Sequence, residues 1–333
     1  MNRMRRAEAG FTLVELLVSL AVTAVLILGV LATFDLSARM NRVQMHVADM
    51  QQSLRIAQNE VVRFSRMAAR GVVPANLAVQ VTNNVPAGTL VVPTKPATEV
   101  QEGTDILRVR GVINSTVYQI DTVTTTEVFN WNDGGGTGWV LVFPTAQGVP
   151  QDLAALKESS EEGETLLLLD PNSRAAVVEI VEAEMDGPNL RIEFKRHPQE
   201  GVLGTMSNDF KKLVSVGILE DYAFYVRVRG GETPSLARAR MEPGSDQPYQ
   251  DELDNATLDL ADNILDLQAA YGLGVVGASE LRVTTLARTD RADPGAYLAP
   301  QLPDTIEDHA YPAEHPYNSP AARRYRWRLL RTD

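Results

Sequence analysis

An apolar run near the amino terminus constrains this chain more than any other feature. Residues 11–34 fill 24 positions and carry a single charged side chain, Glu15. A helix rises about 1.5 Å per residue, so a helix of this length spans the roughly 30 Å hydrocarbon core of a bilayer. The run therefore predicts a transmembrane helix. Glu15 then needs an explanation, because an ionised carboxylate in a membrane requires a partner.

The charges before the run predict its orientation. They are Arg3, Arg5, Arg6 and Glu8. The positive-inside rule keeps this end in the cytoplasm, so we expect a single pass through the inner membrane with everything after about residue 35 outside. A secretory signal peptide with a cleavage site at Val30-Leu31-Ala32 is the alternative. The run is longer than the roughly 7 to 15 apolar residues typical of such signals, which argues against it.

A helical pattern continues beyond the apolar run. Apolar residues recur at alternating spacings of four and three: Leu36, Met40, Val43, Val47, Met50, Leu54, Ala57, Val61, Phe64 and Ala68. No proline interrupts residues 11–70, and Gly71 is a suitable end signal. We predict one helix from about Thr12 to Ala69, about 85 Å long, with residues 11–34 in lipid and an amphipathic part over 35–70. This stripe predicts packing on the chain's own domain, on neighbouring helices, or on both in different turns.

Two interpretations of Glu15 remain open at this point. Thr12-Leu13-Val14-Glu15 has the spacing of a capping box, in which the threonine and the glutamate satisfy the unpaired amides of a helix start. Alternatively, cleavage after Gly10 would give Phe11 a free α-amine one helical turn from Glu15. That amine, with a reference pKa of about 8, is mostly cationic near neutral pH and could pair with a carboxylate of its own chain or of a neighbour.

The amino-terminal string resembles a known processing signal. Residues 5–15, RRAEAGFTLVE, are similar to the type III signal sequence of type IV pilins and pseudopilins. The resemblance implies that residues 1–10 are a leader peptide and that a prepilin peptidase cuts between Gly10 and Phe11 and N-methylates Phe11. It also implies that Glu15 pairs with the Phe11 amine of an adjacent subunit during filament assembly. Many major pilins have a proline partway along this helix, whereas here only Gly29 interrupts good helix formers.

The remainder, residues 71–333, has short runs of β-branched residues separated by turn residues. We predict an α+β, pilin-like fold in which the long helix packs on a mainly antiparallel β domain. A short helix or turn is predicted at 258–266. The predicted strands are 78–82, 89–92, 105–110, 116–120, 139–143, 165–169, 175–181, 190–194, 222–229, 236–241, 280–288 and 325–330.

Several stretches of this domain resemble the large minor pilins of the PilW type, which are related to J-type pseudopilins. These stretches are residues 103–109, 164–181, 222–240 and 260–273, with the strand that follows. The resemblance implies a minor pilin that joins other minor and major pilins through its N-terminal helix. Such subunits prime pilus assembly, sit at or near the filament tip, and can support a tip adhesin.

Composition excludes several other function classes. The formal net charge of −12 disfavours nucleic acid as a partner. The absence of cysteine excludes a disulfide framework and a thiolate nucleophile. We predict no cofactor, no metal and no catalytic residue, since the four histidines are scattered and the Gly-rich stretch 133–138 lacks a P-loop lysine.

Two further clusters have ordinary structural explanations. The acidic residues Asp246, Asp251, Glu252, Asp254, Asp259 and Asp262 could bind calcium, but they lack EF-hand spacing, and a solvated loop is the preferred interpretation. Residues 323–331 mix arginines with aromatics at a period of two, which predicts a closing strand with Tyr325, Trp327 and Leu329 on its buried face.

The sequence therefore predicts a non-enzymatic minor pilin held in the inner membrane before assembly and later at the cell surface. A J-like minor pseudopilin of a type II secretion system shares every feature above and is the nearest alternative. A membrane-anchored periplasmic enzyme or binding module is the alternative from a different class.

Overall fold

The structure is a computed structural model. It describes residues 12–71, 75–93, 98–120, 128–207, 209–230, 233–247, 249, 257–272, 280–294 and 297–332. Gly10 and Phe11, the two residues of the predicted processing site, lie outside the described residues.

One helix, α1 (Leu13–Met67), contains 55 residues. At about 1.5 Å per residue it is about 82 Å long. The predicted single helix is confirmed, although it ends at Met67 with Ala68 as its C-cap rather than at Gly71. Gly71 has a φ of +88° in the turn beyond, where a Cβ atom would lie 2.8 Å from Leu167 Cδ2 and from Val112 Cγ2. A glycine there lets the end of α1 approach the β domain closely.

Three short helices and many short strands follow α1 among the described residues. The helices are α2 (Ala75–Ala78), α3 (Leu153–Ser159) and α4 (Glu200–Leu203). The strands are β1 (Val79–Thr82), β2 (Ile106–Gly111), β3 (Tyr118–Gln119), β4 (Phe129–Asn132), β5 (Thr137–Val142), β6 (Thr145–Ala146), β7 (Val149–Pro150), β8 (Thr165–Leu169), β9 (Ala175–Asp186), β10 (Asn189–Arg196), β11 (Ser215–Ile218), β12 (Glu220–Arg227), β13 (Ser235–Met241), β14 (Thr257–Asp262), β15 (Ile264–Tyr271), β16 (Leu281–Arg288), β17 (Thr305–Ile306), β18 (His309–Ala310) and β19 (Trp327–Thr332). Two 3-10 helices, Pro316–Asn318 and Ala322–Arg324, precede β19.

Two antiparallel sheets form the part of the domain that packs on α1. The described strands of the first have the order β1-β2-β12-β13-β14, and those of the second have the order β15-β16-β19. Apolar side chains from both sheets, among them Leu107, Phe224 and Val283, share one core with the buried face of α1. This confirms the predicted α+β class, with a long helix packed on an antiparallel β domain.

A third sheet is built from the segment between two neighbouring strands. β2 and β12 pair directly, with Leu107 opposite Phe224, although residues 112–219 separate them in the chain. That intervening segment forms the sheet β3-β11-β8-β9-β10-β5-β4. Its inner face has its own apolar core, which α3 covers through Leu153 and Leu156. The segment therefore folds around a second core and returns to the sheet that it left.

Two sequence predictions are wrong. Residues 258–266 are not a helix or turn but parts of β14 and β15, which meet at Asn263 with a φ of 62°. Leu258, Ala261 and Leu265 have helical spacing, but Asn263 in the left-handed region breaks a helix, and β13 and β16 supply strand partners. Residues 89–92 form no strand: Leu90 makes one isolated bridge to Glu99.

Candidate assembly site on the N-terminal helix

Glu15 closes a capping box at the start of α1. Thr12 Oγ1 accepts a hydrogen bond from the Glu15 amide at 3.3 Å, and Glu15 Oε2 accepts one from the Thr12 amide at 2.9 Å. Two amides that the helix leaves unpaired are thereby satisfied. Among the described residues, no cation pairs with Glu15, and its side chain is exposed. The capping interpretation holds for the isolated chain, and a carboxylate oxygen remains available to a partner.

The first half of α1 is apolar on every side and is not covered by the described part of its own domain. All residues from 13 to 34 are exposed. The hydroxyl groups in this half donate to the helix's own carbonyl oxygens: Ser19 to Leu16 at 2.9 Å, Thr23 to Ser19 at 2.7 Å, and Thr33 to Val30 at 2.7 Å. A helix whose hydroxyl groups are satisfied by its own backbone is suited to hydrocarbon surroundings. Among the described residues, α1 is the one helix long and apolar enough to cross a membrane.

Charged residues follow the apolar half of α1 directly after Phe34. Asp35 and Arg39 form an ion pair of 2.6 Å at i,i+4 spacing, and 57% of each side chain is exposed. An exposed pair of this kind contributes about 0.3–0.5 kcal/mol to helix stability. The pair therefore contributes little to the stability of the fold. Its position marks the end of the apolar half of α1.

The second half of α1 buries one stripe against the two helix-facing sheets. The fully covered residues are Met50, Leu54, Ala57, Val61 and Phe64. Phe64 meets Tyr222 and Phe224 edge to face, with ring centroids 4.9 and 5.3 Å apart. The Arg238 guanidinium lies 4.6 Å from the centre of the Phe64 ring. The β domain is thus fixed to the distal half of the helix.

The predicted stripe is divided between two environments. From Val47 onward its members pack on the domain, as expected for a helix on its own core. Leu36 and Met40 are 59% and 55% exposed. These two residues continue the apolar surface of residues 13–34, so the surface available to other helices extends past the membrane boundary.

The other predicted features have ordinary structural roles. Residues 133–136 of the Gly-rich stretch form the turn between β4 and β5, and residues 137–138 begin β5. Trp327 and Leu329 of β19 pack against the cluster around Tyr311, while Arg328 is exposed. This confirms the predicted alternation, although Tyr325 precedes the strand and caps a 3-10 helix instead.

Two described members of the acidic cluster pair with arginines, while Asp262 is exposed on β14. Asp246 accepts from Arg108 at 2.8 Å, and Asp259 pairs with Arg227. Asp251, Glu252 and Asp254 lie outside the described residues. Among the described residues, no group of three or more histidine and carboxylate side chains has the arrangement of a metal site.

Sequence reasoning missed a buried polar cluster behind the helix-facing sheets. Asp105 is fully buried and accepts hydrogen bonds from the amides of Asn84 and Ala269. Burial raises the pKa of Asp105 to about 6, against the opposing effect of those two amides. Nearby, Asp266 accepts from the Tyr311 hydroxyl and lies 3.2 Å from His309 Nδ1. The sequence feature that could have revealed this cluster is Asp105, an aspartate within the apolar strand predicted at 105–110.

Comparison with known proteins identifies the amino-terminal segment. Residues 5–31 match the family described as the prokaryotic N-terminal methylation motif. No curated protein and no solved structure matches the chain significantly. The matched segment contains Gly10, Phe11, Glu15 and most of the exposed apolar half of α1. The chain therefore carries the N-terminal segment of a type IV pilin-like protein, on a helix whose apolar half its own domain leaves uncovered.

Proposed function

We propose that this chain is a minor pilin, a non-enzymatic subunit incorporated into a type IV pilus, where it primes assembly at or near the filament tip. One observation carries the proposal. The methylation motif at residues 5–31 continues into a helix that is apolar all round to Phe34 and is fixed to a β domain only farther along. Such a helix has no stable place in water and requires lipid first and other helices afterwards.

Processing supplies a cation for Glu15, which pairs with none among the described residues. A prepilin peptidase cuts between Gly10 and Phe11 and methylates the new amine of Phe11. The Glu15 carboxylate of one subunit then pairs with the Phe11 amine of its neighbour. An unpaired carboxylate in an apolar bundle is costly, so any stagger that separates the two groups is disfavoured. Glu15 thereby sets the register between subunits.

Mass spectrometry of the membrane-extracted chain tests the processing step. With the host's prepilin peptidase, we expect a chain that begins at N-methylated Phe11. Without the peptidase, the chain should begin at Met1 and stay in the inner membrane. A chain that begins after Ala32 would show instead that the apolar run is a cleaved secretory signal.

Two substitutions separate the capping role of Glu15 from its role in register. Glu15→Gln keeps an acceptor at the capping position, because glutamine also closes a capping box, but it removes the charge. Glu15→Ala removes both. We expect both variants to be processed normally and to be depleted from sheared pili to a similar degree. Incorporation of Glu15→Gln at the wild-type level would show that the cap alone is required.

The same strains distinguish a pilus subunit from a J-like pseudopilin. Deletion of a priming minor pilin should reduce the number of surface pili and leave type II secretion intact. A secretion defect with normal piliation would assign the chain to a pseudopilus instead.

A further inference from the structure

A polar groove of about 490 Å³ lies where the apolar half of α1 ends. One wall is the first exposed polar stretch of the helix, with Arg39, Arg42 and His46. The other wall comes from the loop after β16 and the residue before β19, with Arg291, Asp293 and Arg326. Segments separated by about 250 positions in the chain therefore meet at this level of the helix.

The helix fixes the depth of the groove relative to a membrane. At about 1.5 Å per residue, Arg39 and Arg42 lie about 8 and 12 Å beyond Phe34 along the axis. The polar layer outside the hydrocarbon core is about 5–8 Å thick on each side. Arg39 is therefore at the headgroup level, and the long side chain of Arg42 reaches back to it. Arg291 and Arg326 line the same groove and are brought to this level by the fold.

The carboxylates of the groove offset only some of its arginines. Asp35 pairs with Arg39 at 2.6 Å, and Asp293 pairs with Arg326 at 2.9 Å. Arg42 makes one long hydrogen bond, 3.4 Å, to a carbonyl of its own helix. The Arg291 guanidinium is 3.7 Å from the Asp290 carboxylate, and 76% and 56% of these two side chains are exposed. Even with Asp290 counted, the arginines outnumber the carboxylates, in a chain of net charge −12.

We propose that this groove binds the phosphate of an anionic phospholipid in the leaflet where α1 leaves the membrane. Arg42 and Arg291 provide most of the attraction, because no strong ion pair with another described residue occupies the donors of their guanidinium groups. The bound headgroup holds the β domain at one orientation on the membrane before assembly. The inference rests on the proposed membrane anchoring of residues 13–34 and is independent of incorporation into a filament.

Native mass spectrometry of the full-length chain tests this inference. The chain is released from detergent micelles that contain equal amounts of phosphatidylglycerol and phosphatidylcholine, and the two adducts are counted. Each arginine at an anionic surface contributes about fivefold in binding. The double variant Arg42→Gln, Arg291→Gln should therefore lower the ratio of phosphatidylglycerol to phosphatidylcholine adducts by about 25-fold.

The matched control removes two positive charges far from the membrane. Lys211 and Lys212 are exposed and precede β11 in the sheet with its own core. We expect Lys211→Gln, Lys212→Gln to keep the wild-type adduct ratio. Both double variants should unfold in urea as the wild type does, since all four side chains lie at the surface.

Several outcomes would overturn the inference. An unchanged ratio in the Arg42, Arg291 variant would show that the groove does not bind the headgroup. Displacement of phosphatidylglycerol by millimolar inorganic phosphate would assign the groove to a soluble anion. A photo-crosslinker at position 291 that captures protein rather than lipid in native membranes would assign it to a partner subunit. A chain that retains neither lipid would instead contradict the membrane anchoring on which the proposed function depends.

Discussion

The two halves of α1 form one uninterrupted helix, but they are covered in opposite ways. Residues 13–34 expose every side chain, whereas the stripe from Met50 to Phe64 is buried on the β domain. Backbone hydrogen bonding is the same in both halves, so it does not decide the environment. The environment of each half is decided by how its apolar residues are distributed. They lie all round the helix axis in the first half and along one face in the second half. The first half therefore requires lipid or other helices around it, whereas the apolar face of the second half is covered by the β domain of the same chain.

The largest expected difference between the halves comes from a matched pair of phenylalanines. Phe64 is fully buried and Phe34 is 68% exposed. Phe64→Ala leaves a cavity between Tyr222 and Phe224, and we expect it to lower the free energy of unfolding by about 3–5 kcal/mol. Phe34→Ala should change it by about 0.5 kcal/mol or less. Urea unfolding of the detergent-solubilised chain measures both, and equal losses would show that the first half also packs on the domain.

The carboxylates Glu15 and Asp105 differ in the same way: Glu15 is exposed, whereas Asp105 is buried and has no ion pair among the described residues. The pKa of Asp105 is raised from 3.8 to about 6 in the folded chain, so folding favours its protonated form. Its penalty is absent below about pH 4, grows between about pH 4 and pH 6, and stays constant above that. We expect Asp105 to lower the free energy of unfolding by about 2.5 kcal/mol between pH 4 and pH 7.

The variant Asp105→Asn isolates this contribution from those of other titrating groups. Its free energy of unfolding should fall by about 2.5 kcal/mol less than that of the wild type between pH 4 and pH 7. Urea titrations of both proteins in the same buffers give the difference. Parallel pH profiles would show that Asp105 stays ionised without penalty.

The smallest expected effect lies at the boundary between the halves. Asp35→Asn breaks the exposed pair with Arg39, and we expect a change in the free energy of unfolding of about 0.5 kcal/mol or less. A change above about 1 kcal/mol in the free energy of unfolding, measured in urea, would mean that this ion pair also helps to hold α1 on the β domain. Asp170→Asn provides the contrast, and we expect a larger loss of stability there. Asp170 is buried, and it accepts a hydrogen bond from Arg174 at 2.7 Å.

The sequence predicted features that depend on neighbours along the chain. The limits of α1 followed from periodicity and the absence of proline over residues 11–70, and β8 was predicted with its observed bounds. The capping box of Thr12 and Glu15 is confirmed, and capping and processing signals can be predicted because they are linear; cleavage between Gly10 and Phe11 stays a prediction. The prediction of a helix or turn at 258–266 was wrong because the apolar spacing there fits a helix as well as it fits two strands. Only the pairing with β13 and β16 decides between the two structures.

Features that depend on distant contacts were not predictable from one sequence. The pairing of β2 with β12 crosses more than a hundred residues, and no local pattern specifies it. Asp105 and Asp266 meet across a similar separation. The groove at the membrane boundary likewise combines Arg42 with Arg291, and neither residue is unusual in its own segment.

The insertion between β2 and β12 has a consequence for how such a subunit can be altered. Gly111 and Glu220 face each other in the ladder, so the two ends of the inserted segment lie side by side. A short turn could replace residues 113–218 while the strands that hold α1 keep their register. The strands that cover the buried stripe of α1 are therefore separable from most of the inserted segment, which can change size or sequence where it does not touch the helix. β8 is an exception, because Leu167 packs in one cluster with Ala68 and lies close to Gly71 at the end of α1.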